Sequence, residues 1–182
     1  MGSGTATLVG DPAPGLKLPD TDGTTRALPD RGEAAATVVV WTCNHCPYAL
    51  AWHDRIAAAA RDYAGRGVGF LAVNSNDAER YPADSLDAMR ERVAAEDWPF
   101  PYLHDESQDA ARAWNAQVTP HLYVLDGDLR VRYEGAPDAD HMDPSLDAAW
   151  LRGALDAVLA GAEPEPAATE PVGCSIKWKD PR

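Results

Sequence analysis

The sequence has few cysteines, few basic residues and no long hydrophobic run, and each shortage excludes a class of protein. Three cysteines in 182 residues are too few, and odd in number, for a disulfide-stapled secreted scaffold, so catalysis or metal binding in a reducing compartment is favoured. The chain carries 16 Lys and Arg against 29 Asp and Glu, a net charge of −13. This charge argues against binding nucleic acid or an anionic membrane, and no apolar stretch has transmembrane length.

The start of the chain also lacks the features of a signal peptide. Met1 to Gly10 contains no Lys or Arg and no apolar run of the required length, so we expect a cytoplasmic protein. The total length suits one globular domain with extensions. We predict an amino-terminal extension with a β-hairpin over residues 1–36, a main domain over 37–161, and a Pro- and Glu-rich linker with a tail over 162–182.

The hydrophobic pattern predicts alternating strands and helices. Thr37–Thr42 is a β-branched run typical of a central strand that is covered on both faces, and a helix with Leu50 on its apolar side follows. Val68–Val73 predicts a second strand, parallel to the first by the crossover rule. The later elements are two helices, an antiparallel strand pair and a last helix, at 86–93, 105–114, 121–125, 129–134 and from about 144. This order predicts an α/β fold with a central mixed β-sheet flanked by helices.

Two cysteines lie three residues apart between the first strand and its helix, in the run Trp41-Thr-Cys-Asn-His-Cys-Pro47. Thiols at this spacing are close enough to form a small disulfide loop. We expect Cys43 to be the exposed nucleophile, because free backbone N–H groups and the helix dipole would stabilise its thiolate, with His45 assisting if protonated. Cys46 would be the resolving thiol, and Pro47 suits the first helical turn.

A zinc site is the competing interpretation of the motif. Cys-x-x-Cys supplies half of a common four-ligand set, which Cys174, His45 or His53 could complete. The sequence has no second Cys-x-x-Cys and no His-x-x-x-His pair, and a strand-to-helix position favours a redox motif. We therefore predict neither a metal nor a cofactor, and we interpret His53 as a core histidine.

A second signal is Thr119-Pro120, directly before a predicted strand. Because Pro cannot donate a hydrogen bond inside a sheet, we predict a special position there, with a cis peptide. Together with the dithiol, this pair resembles the thioredoxin superfamily, in which a cis-proline loop faces the reactive cysteine and binds the partner's extended chain. The resemblance implies a thioredoxin-like fold with Thr119 and Pro120 bordering the site. His121 could modulate the thiolate, and Trp41 would supply packing or shield the disulfide.

Further segments resemble the AhpC/TSA, or peroxiredoxin-like, branch of that superfamily. They are Gly10-Asp-Pro-Ala-Pro14, Leu18-Pro-Asp-Thr-Asp-Gly23, Asn76-Asp77, Tyr81-Pro82, Tyr102-Leu-His-Asp105 and Gly173-Cys-Ser-Ile-Lys-Trp-Lys179. The Cys-Asn-His-Cys-Pro motif and this tail are similar to one subgroup of the branch. Peroxiredoxins carry the motif Pro-x-x-x-Thr-x-x-Cys. Aligning Cys46 with the cysteine of this motif puts Val39 at the Pro position and Cys43 at the Thr position. The resemblance therefore implies that the peroxide-binding residues are incomplete in this sequence. The buried acid of typical thioredoxins is replaced by Thr37.

The tail alternates, with Cys174, Ile176 and Trp178 on one face, as a docking strand does. We predict that it folds back and buries Ile176 and Trp178. Two interpretations of Cys174 stay open at this point: a supplementary resolving thiol beside the dithiol, and a free cysteine on the surface or in the packing. Spacing along a linker does not fix the distance between Cys174 and the dithiol.

These features together predict a thiol–disulfide oxidoreductase, in which Cys43 attacks a disulfide and Cys46 resolves the mixed disulfide. Its partners would be a protein or small-molecule disulfide and a thiol reductant, with neither nucleic acid nor membrane involved. Two alternatives remain open. One is a peroxiredoxin-like thiol peroxidase, and the other is a non-enzymatic redox-sensing or zinc-binding module.

Overall fold

The computed structural model describes residues 7–180, so six residues of the predicted amino-terminal extension and the last two of the tail lie outside it. The strands are β1 Lys17–Pro19, β2 Thr25–Ala27, β3 Ala36–Trp41, β4 Val68–Asn74, β5 Tyr102–His104, β6 Val118–Thr119, β7 His121–Asp126, β8 Val131–Gly135 and β9 Cys174–Ser175. The helices are α1 Pro47–Tyr63, α2 Leu86–Ala95, α3 Asp109–Ala113 and α4 Ala149–Leu159.

A five-stranded sheet of order β5-β4-β3-β7-β8 forms the centre. Strands β3, β4 and β5 are parallel, β7 is antiparallel to β3, and β8 is antiparallel to β7. Every residue of β3 is buried, because Val38 and Val40 face a core with α1 and α4 while Val39 and Trp41 face a second core. The predicted thioredoxin-like α/β fold with a mixed sheet flanked by helices is confirmed.

Several elements differ from the prediction, and helix α3 begins at Asp109 rather than at residue 105. Strand β5 was not predicted, because three residues are too few to show a periodicity. Helix α4 begins at Ala149 rather than near Pro144. The carboxylates of Asp140 and Asp143 accept hydrogen bonds from backbone N–H groups two residues further along, and such turns compete with helix formation.

Helix α1, with 17 residues, is the longest helix. The prediction that Leu50 lies on its apolar side is wrong, since that side chain is 45% exposed. The buried stripe of the helix consists of Ala49, Trp52, His53, Ile56, Ala57, Ala59, Ala60 and Tyr63. Among residues 7–180, no helix has both the length and the apolar character needed to cross a membrane.

Both ends of the described chain pack onto the central domain. Strands β1 and β2 form an antiparallel hairpin around Asp22-Gly23. In the segment before the tail, Thr169 hydrogen-bonds to β8, and strand β9 then pairs with β6. Ile176 is buried, but Trp178 is 36% exposed, so the prediction that Trp178 is buried is wrong. Its ring lies instead beneath the guanidinium of Arg112, at 5.1 Å.

Candidate active site

The two cysteines of the motif lie where β3 ends and α1 begins. Cys46 is the N-cap residue of α1, and Pro47 starts its first turn. Cys43 precedes the N-cap by three residues, in the turn that leaves β3. The positive end of the helix dipole therefore acts mainly on Cys46, and the prediction that Cys43 occupies the first helical turn is wrong.

Both sulfurs of the motif are buried. Cys43 is 1% exposed and Cys46 is 0% exposed, so the prediction that Cys43 is the exposed thiol is wrong. The two pack with Ala49 in a small cluster that Tyr48 and Cys174 cover. All three cysteines, each within the described part of the chain, are free thiols.

Thr119 lies against the dithiol, and its peptide bond to Pro120 is cis, as predicted. Thr119 Oγ1 lies 3.4 Å from the Cys43 sulfur, and the Cys46 thiol donates to the Thr119 carbonyl oxygen at 3.2 Å. One residue therefore contacts one sulfur through its side chain and the other through its backbone.

The two thiols differ strongly in acidity. The hydrogen bond to Cys46, burial and the charge of Asp84 raise the pKa of Cys43 far above its usual range. The hydrogen bond from Cys43 and the side chain of Thr119 lower the pKa of Cys46 to about 4, although burial alone would raise it. The pair thus loses one proton readily and the second only with difficulty.

Asp84 is a fully buried carboxylate beside the motif that the sequence analysis missed. It accepts hydrogen bonds from the Asn44 backbone N–H at 2.6 Å and from the side-chain amides of Asn74 and Asn76 at 3.1 and 2.9 Å. A signal for this network existed in the sequence. Asn74 ends β4 and Cys43 follows the parallel β3, and the carboxyl ends of parallel strands meet at one edge of a sheet.

Asn44, the first residue between the two cysteines, is held in place by three neighbours. Its Oδ1 accepts from the Tyr102 hydroxyl at 2.8 Å and from Arg92 at 3.2 Å, and its amide donates to the Ala83 carbonyl at 2.9 Å. Arg92 also donates to the Cys43 carbonyl at 3.0 Å. The backbone between the cysteines is therefore fixed by buried and half-buried side chains.

His45 contributes to a cluster with the chemistry of a metal site. Its Nδ1 lies 2.5 Å from Asp84 Oδ2, in ion-pair contact but without hydrogen-bond geometry. A ring nitrogen of His45, the Cys43 sulfur and an Asp84 carboxylate oxygen all lie within 4.8 Å of one another. Thiolate, imidazole and carboxylate are the ligands that zinc takes in proteins, so these three residues could hold a metal ion.

Three other residues singled out in the sequence lie away from the sulfurs. The Trp41 ring packs in the second core against Trp114 at 5.3 Å, which supports the packing interpretation. His53 is buried among aromatic rings, and this burial lowers its pKa. His121 is fully buried, with its Nε2 at 3.3 Å from Glu134 Oε1.

Cys174 reaches the same cluster from the tail. It is the register partner of Thr119 in the β6–β9 pair, and it packs against the cluster that contains Cys43 and Cys46. Unlike Cys43 and Cys46, it is partly exposed. The structure thus brings Cys174 to the pair, which its spacing along the sequence could not predict.

Comparison with known proteins identifies related families and structures. The model of the Redoxin family matches residues 8–150. An uncharacterized conserved protein from Geobacillus kaustophilus is 39% identical, with 96% of this chain and 94% of that chain covered and a TM-score of 0.90. A hypothetical protein from Sinorhizobium meliloti 1021 is 35% identical, with 96% of each chain covered and a TM-score of 0.89.

A more distant structure is similar in fold alone. It is a putative thiol:disulfide interchange protein, DsbE, from Chlorobium tepidum, which is 20% identical, with 85% of this chain and 99% of that chain covered and a TM-score of 0.67. No curated protein matched the chain.

Proposed function

The chain belongs to the Redoxin family, and from this we propose that it is a thiol–disulfide oxidoreductase whose redox pair is Cys43 and Cys46. The observation that carries the proposal is geometric: both thiols contact Thr119 and lie in one small buried cluster. The acidity of the pair, lowered at Cys46 and raised at Cys43, supports it. At neutral pH such a pair holds one thiolate and one thiol. This state suits disulfide exchange, because one sulfur can attack while the other remains available to resolve.

The proposed reaction has two exchange steps. The Cys46 thiolate attacks a disulfide sulfur and expels one thiolate, and Cys43 then attacks the Cys46 sulfur and expels the second partner. One disulfide is reduced to two thiols while the Cys43–Cys46 disulfide forms, and a thiol reductant reverses the change. These roles are the reverse of those expected from the sequence.

Cys43 must lose its proton before it can attack, and His45 is the base that we assign to this step. One ring nitrogen of His45 lies within 4.8 Å of the Cys43 sulfur. The contact between His45 Nδ1 and the buried Asp84 carboxylate holds the ring beside the pair. His45 and Asp84 would take over the role of the buried acid of typical thioredoxins. In this sequence, Thr37 occupies the position of that acid.

Redox titration in dithiothreitol buffers, followed by peptide mapping without reduction, tests the proposal. We expect a Cys43–Cys46 disulfide in the oxidised protein, turnover of a disulfide substrate with a thiol reductant, and loss of both in Cys43→Ser and in Cys46→Ser. A wild-type protein that never forms this disulfide under oxidising conditions would refute the proposal. Circular dichroism of each variant checks that the fold is retained.

The cluster of Cys43, His45 and Asp84 favours one second candidate, a zinc-binding module without enzymatic activity. Metal analysis of the purified protein separates the two. Stoichiometric zinc that is lost in His45→Ala, together with an inert dithiol, would support the module. Peroxide consumption with a thiol donor, abolished in Cys46→Ser, would instead support the peroxidase alternative.

The proposal also includes the setting in which the protein works. A cytoplasmic location is supported by the low and odd number of cysteines, since reducing systems there keep a dithiol reduced. The partners would be a protein or small-molecule disulfide and a thiol reductant. Fractionation of the source cells and turnover assays with both classes of disulfide test these points.

A further inference from the structure

The redox pair of the proposed function lies beneath the carboxy-terminal tail. Cys43 and Cys46 are almost completely buried, whereas Cys174 is partly exposed. Cys174 packs against the buried cluster that contains Cys43 and Cys46. Cys46 is the member whose acidity depends on both of the other thiols, so the three form a row with the partly exposed Cys174 at one end, Cys46 in the middle and Cys43 at the other end.

The tail lies directly on the residue that contacts the pair. Cys174 is paired with Thr119, whose carbonyl oxygen accepts from the Cys46 thiol at 3.2 Å. A Cβ atom on Gly173 would lie 2.0 Å from the same carbonyl oxygen. Only glycine allows the backbone at position 173 to approach the Thr119 carbonyl this closely. The sequence therefore specifies the position of the tail beside the sulfurs.

The tail is anchored firmly beyond the cysteine. Ile176 is buried in the second core, and the Lys177 backbone N–H donates to the Asn76 side chain at 2.8 Å. The fully buried Gln108 side chain donates to the Lys177 carbonyl and accepts from the Lys179 backbone N–H, both at 2.9 Å. A substrate that displaced the tail would have to break all these contacts, which disfavours direct access to Cys46.

We propose that Cys174 is the thiol that reacts with the external disulfide, and that it passes the oxidation inward to Cys46 and then to Cys43. This three-thiol relay rests on the proposed function and adds to it a third catalytic residue and a point of attack. It also suits bulky disulfides, since these need to reach only the partly exposed Cys174 sulfur.

The relay has three exchange steps, which balance. Cys174 loses its proton to solvent, attacks the external disulfide and expels the first thiolate. Cys46 attacks the Cys174 sulfur and expels the second thiolate, so that a Cys46–Cys174 disulfide forms. Cys43 gives its proton to His45 and attacks the Cys46 sulfur, so that Cys174 leaves as a thiolate and takes up that proton from His45. In sum, one external disulfide becomes two thiols and the Cys43–Cys46 dithiol becomes a disulfide.

Glutathione disulfide is a suitable bulky probe, and Cys174→Ser is the first variant. We expect its oxidation by glutathione disulfide to slow by about tenfold or more, while Ser175→Ala, a change in the same strand, stays within about twofold of wild type. The Cys43–Cys46 disulfide should still form in Cys174→Ser when the variant is equilibrated with oxidising dithiothreitol buffers. A Cys174→Ser rate equal to wild type or faster would overturn the relay and leave the proposed function standing.

The pH dependence identifies the sulfur that attacks. Burial and the hydrogen bond to Cys46 raise the pKa of Cys174, so a reaction that begins there should accelerate by about tenfold per pH unit between about pH 7 and pH 9. A rate that stays flat over this range would overturn the proposal.

Trapping supplies an independent test. In Cys46→Ser the row is interrupted, so glutathione should remain on Cys174 as a stable mixed disulfide that peptide mapping can locate. Glutathione found on Cys43 instead would overturn the relay. If wild-type protein formed no Cys43–Cys46 disulfide at all, the proposed function itself would fail, which is a distinguishable result.

Discussion

At the scale of single residues, the chemistry of the dithiol depends on its immediate polar neighbours. Thr119 lowers the pKa of both thiols, while the charge of Asp84 raises that of Cys43. Asp84 therefore widens the gap between the two ionisations, whereas Thr119 shifts both downward. Because thiolate fraction and intrinsic nucleophilicity both follow the pKa, substitutions here should change exchange rates while leaving the fold intact.

Thr119→Val removes the hydroxyl 3.4 Å from the Cys43 sulfur but keeps the shape of the side chain. We expect the first apparent pKa of the dithiol to rise by roughly one unit, measured by the ultraviolet absorbance of the thiolate. Thr37→Val is the matched control, since its buried hydroxyl has no partner. It should leave the thiol pKa unchanged, and an equal shift in both variants would contradict this role for Thr119.

The sequence predicted the proximity of Cys43 and Cys46 and the cis peptide before Pro120 better than it predicted the environment of the two thiols. The Cys-x-x-Cys spacing and a proline at a strand start are local signals. Which sulfur is acidic depends on Asp84, and which sulfur is exposed depends on the tail at Cys174. Asp84 and Cys174 are both distant in the sequence from Cys43, so a local sequence pattern cannot predict their contacts with the dithiol.

At the scale of elements, one ion pair holds the segment between β8 and α4 against α1. Asp138 is buried and accepts from the Trp52 indole at 2.7 Å, from Arg55 at 2.9 Å and from the Ala148 backbone N–H at 2.9 Å. This interaction joins residues far apart in the sequence. It contributes to the late start of α4, which the hydrophobic pattern alone placed near Pro144.

Arg55→Ala should destabilise the protein by about 3–5 kcal/mol, because it leaves the buried Asp138 carboxylate without its partner. Arg66→Ala is the matched control. Its ion pair with Asp156 is exposed on both sides, so its loss should cost less than about 1 kcal/mol. Urea denaturation of the two variants measures the difference, and equal free energies of unfolding would show that Arg55 does not have this role.

At the scale of the whole molecule, buried titratable groups couple stability to pH. Burial lowers the pKa of His53 and His104 below their ordinary 6.5. Burial alone would raise the pKa of Glu134, but hydrogen bonds from His121 and the Leu8 backbone N–H hold it below 4.5. In each case the unfolded chain binds more protons than the folded chain as the pH falls, so all three groups make acid destabilising.

We therefore expect the free energy of unfolding to fall in two stages on acidification. The first begins as the pH drops below about 6.5, from the histidines, and the second below about 4.5, from Glu134. Glu134→Gln should lower stability at neutral pH and flatten the second stage, whereas Glu91→Gln on the surface should do neither. Urea titrations across this pH range check both, and an unchanged second stage in Glu134→Gln would contradict the assignment.

The overall architecture was largely predictable because it depends on patterns that the sequence shows directly. The apolar runs of β3 and β4 and the crossover rule fixed the parallel centre of the sheet. Strand β5 and the exposed position of Trp178 were not predicted. Strand β5 is too short to show a hydrophobic pattern. The exposure of Trp178 depends on the contact of its ring with Arg112, which forms only when the tail is docked.

The anchoring of the tail also has a consequence for how the molecule opens. Residues 174–179 hydrogen-bond to three connections, those after β4, after β5 and after α3, through Asn76, Gln108 and Gln117. Detachment of the tail would release all three connections together, as one cooperative unit. The amide hydrogens of Asp77, Ile176 and Lys179 should therefore exchange with solvent deuterium at a common rate, which measures how often the interior sulfurs become exposed.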